Sequence, residues 1–504
     1  MAGTALIQFR VKDWPNVMWD WIYAPDSASK KTFDLDSYHS WLPRRRTSMA
    51  FHPHTNAPII RTWGLSIMSE RIVKLDRKNM NWNNFPPFVL SLWNGLEHPE
   101  LWDGSYVQFQ AESGVAFDAH GNMYFTVDGE TQGFGSVFKQ ALFAWSELEG
   151  KWRVYSAALP KLPYLRLEFY AGNNDSGYLP TVLGATTRSM DNTPSRFWPR
   201  KIYFVFCRRD GDGRLDNFER VEIPGAPTST DSANPDHVVT IGDDTANVTA
   251  IWGNKIHVVW SYPGPKETDK VHVASNTYDR SHRKFMHDPS IHVGTVESGR
   301  EVKQDPPGTP WPADCYEGDG IPWADVHCFP ALAIGPAGFL HCVIGGHGTK
   351  FRYLRSARSD DTSRWEDRTD SFNGLQGTYP SLVCDRNGIL HLVIRQSGDP
   401  DRLSYVRGIA KTTGSKVEWA VQELATIPPL TDCYVNFRHT LRIDRLGRLF
   451  VSFTLVRKDV SSDLAWVLMS DDTGLNWRIC MTEDFKDDFH SSDCWLQPVQ
   501  TVLM

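Results

Sequence analysis

The chain has no CxxC pair among its eight cysteines, no apolar run of membrane-spanning length, and no basic block beyond Arg44-Arg45-Arg46. Each absence removes a class of function. Without paired cysteines there is no zinc ribbon and no thioredoxin-type motif. Several of the cysteines sit inside apolar stretches, where a thiol behaves as a small hydrophobe. Without about 20 consecutive apolar residues there is no membrane-spanning helix, and no membrane partner is expected. The first residues, MAGTALIQFRVKDW, lack the charged-then-apolar pattern of a leader. The expectation is an intracellular chain or one whose leader has been trimmed. With 53 Lys and Arg against 60 Asp and Glu, the net charge of −7 argues against nucleic acid as the main partner. It leaves room for a polyanionic ligand, because a local basic cluster can outweigh a weak global charge.

Aromatic residues are abundant: 20 Trp and 16 Tyr in 504 residues. Most such rings are core packing, but this density also suits stacking on sugar faces. The composition, 41% hydrophobic and 22% charged, is globular.

Self-comparison organises the chain. An apolar strand, a turn with Gly or Asn, and a second apolar strand recur at 48–64, 114–129, 248–262, 330–346, 380–396 and 439–455. A looser copy with a long insertion spans 179–211. A third strand follows most of them, then a fourth near Trp365, Trp419 or Trp477. Seven units of four short antiparallel strands predict an all-β, seven-bladed β-propeller, since radial blades solve the edge problem of so many strands. Two packed β-domains are the alternative. The domain expectation is an N-terminal segment, 1–47, that packs on or closes one propeller, 48–504.

One turn is specific. Ser470 to Trp477 reads SDDTGLNW and fits S-x-D-x-G-x-x-W, the Asp-box. Its Ser and Asp should tie a hairpin turn while its Trp packs into the blade. A degraded copy runs from Ser359 to Trp365. Such boxes are structural and say nothing of catalysis.

The candidate chemistry lies in two neighbouring hairpins. His327 and His347 are twenty apart and straddle one; Tyr379 and Arg395 are sixteen apart and straddle the next. A hairpin brings the start of its first strand beside the end of its second. Aligned on Gly338 and Gly388, the four residues share one rim, and Asn436, Arg438 and His439 reach it from the following unit. Separately, each residue reads more simply as a satisfied polar side chain, a turn, or an inter-blade ion pair. Together, two imidazoles, a phenol and a guanidinium on one rim make a chemical toolkit, and their resemblance to the set carried by propeller polysaccharide lyases implies β-elimination from a 4-linked uronate. That reaction removes the weakly acidic C5 proton and expels the O4 group. A cation must hold the carboxylate as charge develops. Arg395 suits this, being always charged and able to bind bidentately, and His347 could assist. His327 and Tyr379 fit the base and acid roles. The epimer of the uronate decides which is which.

The stretch from about 325 to 455 resembles the BNR-repeat propeller polysaccharide lyases, which include the ulvan lyases and the rhamnose–glucuronate lyases. The resemblance is carried by DVHCFPALAI…GFLHCVIGGH, GTYPSLVCDRNGILHLVIR and FRHTLRIDRLGRLFVSF. It implies that His327, His347, Tyr379 and Arg395 carry catalysis, in the family's twenty-then-sixteen spacing. In ulvan lyases these residues lie in an early blade; here they fall in the fifth and sixth. The resemblance further implies an acidic polysaccharide or oligosaccharide substrate and a secreted or periplasmic location. No cofactor is needed for the chemistry. A monomer is expected.

Weaker signals remain. RRDGDGRLDNFE, 208–219, places Asp210, Asp212, Asp216 and Glu219 as in a calcium loop, but Arg208 stands at the first ligand position and the flanks read as strands. Asp314, Cys315, Cys328, His341 and Cys342 could supply zinc ligands. The Gly-, Pro- and Asp-rich segment 297–322 precedes the candidate hairpin, with Trp311 and Trp323 as sugar platforms. The competing functions are a rhamnosidase- or sialidase-like glycoside hydrolase and a non-catalytic carbohydrate-binding propeller. The Arg-Ile-Pro motif usual in sialidases is absent.

Overall fold

The computed structural model describes Ile7–Gln8, most of 48–84 and 107–155, the strands between 166 and 263, and most of 270–297, 328–396, 402–457 and 462–486. Among these residues the chain is all-β, and its helices are single 3-10 turns at Thr369–Phe372 and Thr482–Phe485. Each of the seven hairpins read from the sequence is an antiparallel pair. In the third, the expected first pair is instead the middle of its sheet. The strand Arg166–Tyr170 precedes it and pairs with Tyr178–Thr187.

Among the described residues, seven sheets of four or more strands follow one another along the chain. A two-stranded ribbon, Ser229–Thr230 with Val238–Val239, lies between the third and fourth. Each sheet touches the next. The rings of His52 and Phe117 lie 5.6 Å apart between the first and second. The strand Arg166–Tyr170 packs beside Met123–Thr131 between the second and third. Ser290 Oγ donates to the carbonyl of Pro224 at 3.1 Å between the third and fourth. Ser261 Oγ donates to the carbonyl of Cys328 at 2.6 Å between the fourth and fifth. A shared apolar core, with Val343, Tyr353, Leu392 and Ile394, joins the fifth and sixth. Tyr405 meets Trp477 at 5.0 Å between the sixth and seventh. The seventh returns to the first: Phe51 and Phe450 are 4.9 Å apart, and Asn56 Nδ2 donates to Asp444 Oδ2 at 3.0 Å.

The hairpin turns explain their own sequences. In DRNG, Asp385 accepts the backbone N–H of Asn387 and Ile389, each at 2.8 Å. In DRLG, Asp444 accepts those of Leu446 and Arg448 at 3.0 and 2.8 Å. The chain must then turn through positive φ, at Gly388 (77°) and Gly447 (84°), where glycine has no Cβ to clash.

The Asp-box folds as its residues predict. Ser470 Oγ donates to Asp472 Oδ1 at 2.8 Å and accepts from the Gly474 amide at 2.9 Å. Asp472 also takes the amides of Leu475 and Asn476. Trp477 is buried against Tyr405. In the degraded copy Asp361 accepts the Ser363 amide at 2.7 Å. Its neighbour Asp360 reaches back to the fourth sheet, 2.8 Å from His257 Nε2 and 3.0 Å from Lys255 Nζ.

Candidate active site

Tyr379 and Arg395 come together. Tyr379 lies on the first strand of the sixth sheet, Gln376–Cys384, and Arg395 near the end of the second, Ile389–Gln396. Thr378 stands opposite Arg395, and the register then shifts by a bulge before Ser381. The guanidinium carbon of Arg395 is 5.7 Å from the centre of the Tyr379 ring. Tyr379 is 5% exposed and holds φ at +57°. This is the left-handed region, costing a non-glycine residue about 1–2 kcal/mol. The following Pro380 narrows the options of Tyr379 further.

Such strain persists only where the surroundings over-determine it, and here the segment after the fifth hairpin and the seventh sheet do so. On the near side, the Gly348 amide donates to Thr378 Oγ1 at 3.0 Å and lies 3.3 Å from the Gly377 carbonyl. The short strand Thr349–Lys350, which follows the fifth hairpin, pairs with Gln376–Gly377. On the far side, the Leu441 amide of the seventh sheet donates to Ser381 Oγ at 3.2 Å. Gly377 lets the two strands close up, since a Cβ there would sit 2.7 Å from the carbonyl oxygen of Arg395. The bulge thus turns a phenol toward a guanidinium at a strand end tied on three sides.

His327, His347, Trp311, Trp323, Asn436, Arg438 and His439 lie outside the described residues, as do Asp210, Asp212, Asp314 and Cys315. Asp216 and Glu219 stand on the strand Leu215–Glu222, opposite Arg208 and Phe206. The zinc candidates on the fifth sheet diverge. Cys328 and Cys342 share the apolar core facing the fourth sheet, where burial pushes the Cys342 thiol pKa up. His341, one residue along, takes the opposite face, as successive strand residues must. Its Nδ1 lies 2.7 Å from Tyr353 Oη. Among the described residues, no three His, Cys, Asp or Glu are grouped to hold a metal ion.

A second set of histidines was not read as a set in the sequence, where only His341 was named, as a zinc candidate. His257, His341 and His391 occupy the same place on the second strands of the fourth, fifth and sixth sheets and are all buried. Each meets a hydroxyl on the third strand: Thr277 at 2.9 Å, Tyr353 at 2.7 Å and Tyr405 at 2.6 Å. Burial, with Arg355 nearby, pushes the His341 pKa down to about 3. Burial likewise lowers that of His391, against the opposing pull of Asp385. Burial thus favours the neutral imidazole at His341 and His391, while His257 is held between Thr277 and Asp360 as part of the scaffold. Their signal was the repeated Ile-His-Val, Leu-His-Cys and Leu-His-Leu at 256–258, 340–342 and 390–392.

Residues 295–490 match the family model described as BNR repeat-containing family member. The matched stretch holds the Asp-box and both candidate hairpins. No curated protein matches the chain. Among solved structures, the chain is similar to a polysaccharide lyase, an ulvan lyase, at 10% identity and a TM-score of 0.43, covering 72% of this chain and 81% of that one. An α-L-arabinanase from Penicillium chrysogenum, complexed with arabinobiose, matches at 12% identity and a TM-score of 0.36, over 71% and 93%. A sialidase from Trypanosoma rangeli, in complex with sialic acid, matches at 10% and 0.39, over 73% and 55%.

Proposed function

We propose that this chain is a polysaccharide or oligosaccharide lyase that cleaves a 4-linked uronic acid by β-elimination. The reading includes a closed seven-bladed propeller of four-stranded blades. Seven successive sheets and the return contact from Phe450 to Phe51 support it. Residues 1–47 would close or cover that ring.

The observation that carries the function is the strained pairing of Tyr379 with Arg395 at one strand end. Arg395 would take the uronate carboxylate and hold the charge that develops as the C5 proton leaves. The electron pair of the C5–H bond becomes the C4=C5 double bond, the C4–O4 bond breaks, and O4 takes a proton. Tyr379 and His327 would divide the base and acid roles according to the epimer, with His347 assisting Arg395. Asn436, Arg438, His439, Trp311 and Trp323 would bind the flanking sugars.

The test is a screen on ulvan, glucuronan, gum arabic and glycosaminoglycans, read by the ultraviolet absorbance of the new double bond. Growth of that absorbance with one polymer supports the reading. Release of reducing ends without it would assign a hydrolase instead.

A further inference from the structure

A cavity of about 330 Å3 opens between the sixth sheet and the linker that joins it to the fifth. Its walls include Phe372, Leu375, Gln376, Gln396, Trp419 and Val421, and among the described residues no charged side chain lines it. Trp419 and Val421 sit two apart on the fourth strand of the sixth sheet and so share a face. The indole is held in place. Its N–H donates to Ser371 Oγ at 2.9 Å, its ring lies 4.5 Å from that of Phe372, and it rests on Gly408, where a Cβ would be 2.4 Å from the ring. Val421, beside it, is 53% exposed. At the mouth, Gln396 Oε1 accepts from Ser404 Oγ at 2.6 Å, and its Nε2 donates to the Gln376 carbonyl at 3.3 Å.

The position of the mouth matters. Gln396 follows Arg395 on one strand, and Gln376 precedes Tyr379 by three on its neighbour. Leu390, Leu392 and Ile394 face the fifth sheet, so strand alternation turns Gln396 the same way and Arg395 the other. A chain crossing the end of the sixth sheet would meet both.

We propose that this cleft is a subsite for an uncharged sugar ring flanking the uronate, a proposal that rests on the lyase reading above. Two amides can donate to and accept from hydroxyls without adding charge. An aromatic and aliphatic floor suits the C–H face of a sugar. A carboxylate there would lose its hydration, and none of the described lining residues carries a charge to offset that. The volume lies near the lower end of small-molecule sites, about 300–1,000 Å3, which is room for a ring or two and not for a folded polymer.

Saturation-transfer NMR tests this on the whole chain, with the methyl glycosides of glucose, galactose and xylose as neutral probes and methyl glucuronide as the charged one. At least one neutral glycoside should bind the wild type and Arg395→Ala alike. Val421→Glu, at an exposed position, should weaken that binding at least about tenfold with unchanged thermal unfolding, and Gln396→Ala should weaken it less. The subsite is overturned if no neutral glycoside binds, if neither variant alters binding, or if the glucuronide is the probe that Val421→Glu displaces. Neutral-glycoside binding sensitive to Val421→Glu, with no unsaturated product from any polymer, would sink the lyase reading and leave the cleft standing.

Discussion

The imidazole of His391 and the phenol of Tyr405 meet at 2.6 Å, Nδ1 to Oη, inside the sixth sheet. Both side chains are buried, and the rings lie 21° from parallel. The carboxylate of Asp385 stands 3.4 Å from the other ring nitrogen. Tyr405→Phe removes the hydroxyl and strands the buried imidazole. The expected loss is about 1–3 kcal/mol of unfolding free energy, with turnover per folded molecule unchanged. Chemical denaturation beside an activity assay checks this. A large fall in turnover at full stability would move His391 from scaffold to chemistry.

His341 makes stability depend on pH. Its folded pKa is about 3 against an unfolded value near 6.5. Between those values the unfolded chain binds the extra proton, so stability rises with pH there. The contribution is complete above about pH 6.5 and shrinks as pH falls toward 3, by about 2 kcal/mol at pH 5 for this one group. Replacing both partners, His341→Phe with Tyr353→Phe, leaves no stranded polar group. Melting temperatures at pH 7 and pH 5 should then differ less in the double variant than in the wild type. An equal drop in both proteins would remove His341 as the source.

The hairpins and the Asp-box were legible because their determinants are local. Asp385 and Gly388, or Ser470, Asp472 and Gly474, make the turn within a few residues of themselves. The pairing of Tyr379 with Arg395 was legible for the same reason, since a hairpin fixes which residues share its open end. The strain at Tyr379 was not legible. It depends on Gly348, from the segment after the fifth hairpin, and on Leu441, from the seventh sheet. His341 looked like a metal ligand in a string beside Cys342, and only the strand's alternation, set against two cores, separates them. Trp419 read simply as a fourth-strand ring. The cleft beside it needs the linker through Phe372 and Leu375 to close over the sixth sheet.

Gly377 sets how tightly the first two strands of the sixth sheet approach. An added Cβ would meet the Arg395 carbonyl oxygen at 2.7 Å and ring atoms of Phe351 at 3.1 Å. Gly377→Ala must therefore push the strand carrying Arg395 outward. The overpacking should cost about 1–3 kcal/mol, and displacing the guanidinium from Tyr379 should lower activity beyond what lost folding explains. Denaturant midpoints and turnover, measured on the same preparation, separate the two effects. If both stay at wild-type values, the close approach carries no weight.

Arg395→Lys and Tyr379→Phe test the chemistry most directly. The lysine keeps the charge but loses the planar fork that grips a carboxylate at two points. Losing one preorganised donor of this kind typically costs about 10²–10³ in rate. Tyr379→Phe deletes only the hydroxyl, so the ring still fills its buried place while proton transfer is lost. The expected result is severe loss of unsaturated product with either variant, on glucuronate and iduronate substrates alike, with unfolding transitions close to wild type. His327→Asn should be selective instead, impaired most on glucuronate, where His327 would act as the base. Wild-type rates for all three variants on a polymer the protein does cleave would move the chemistry away from this strand end.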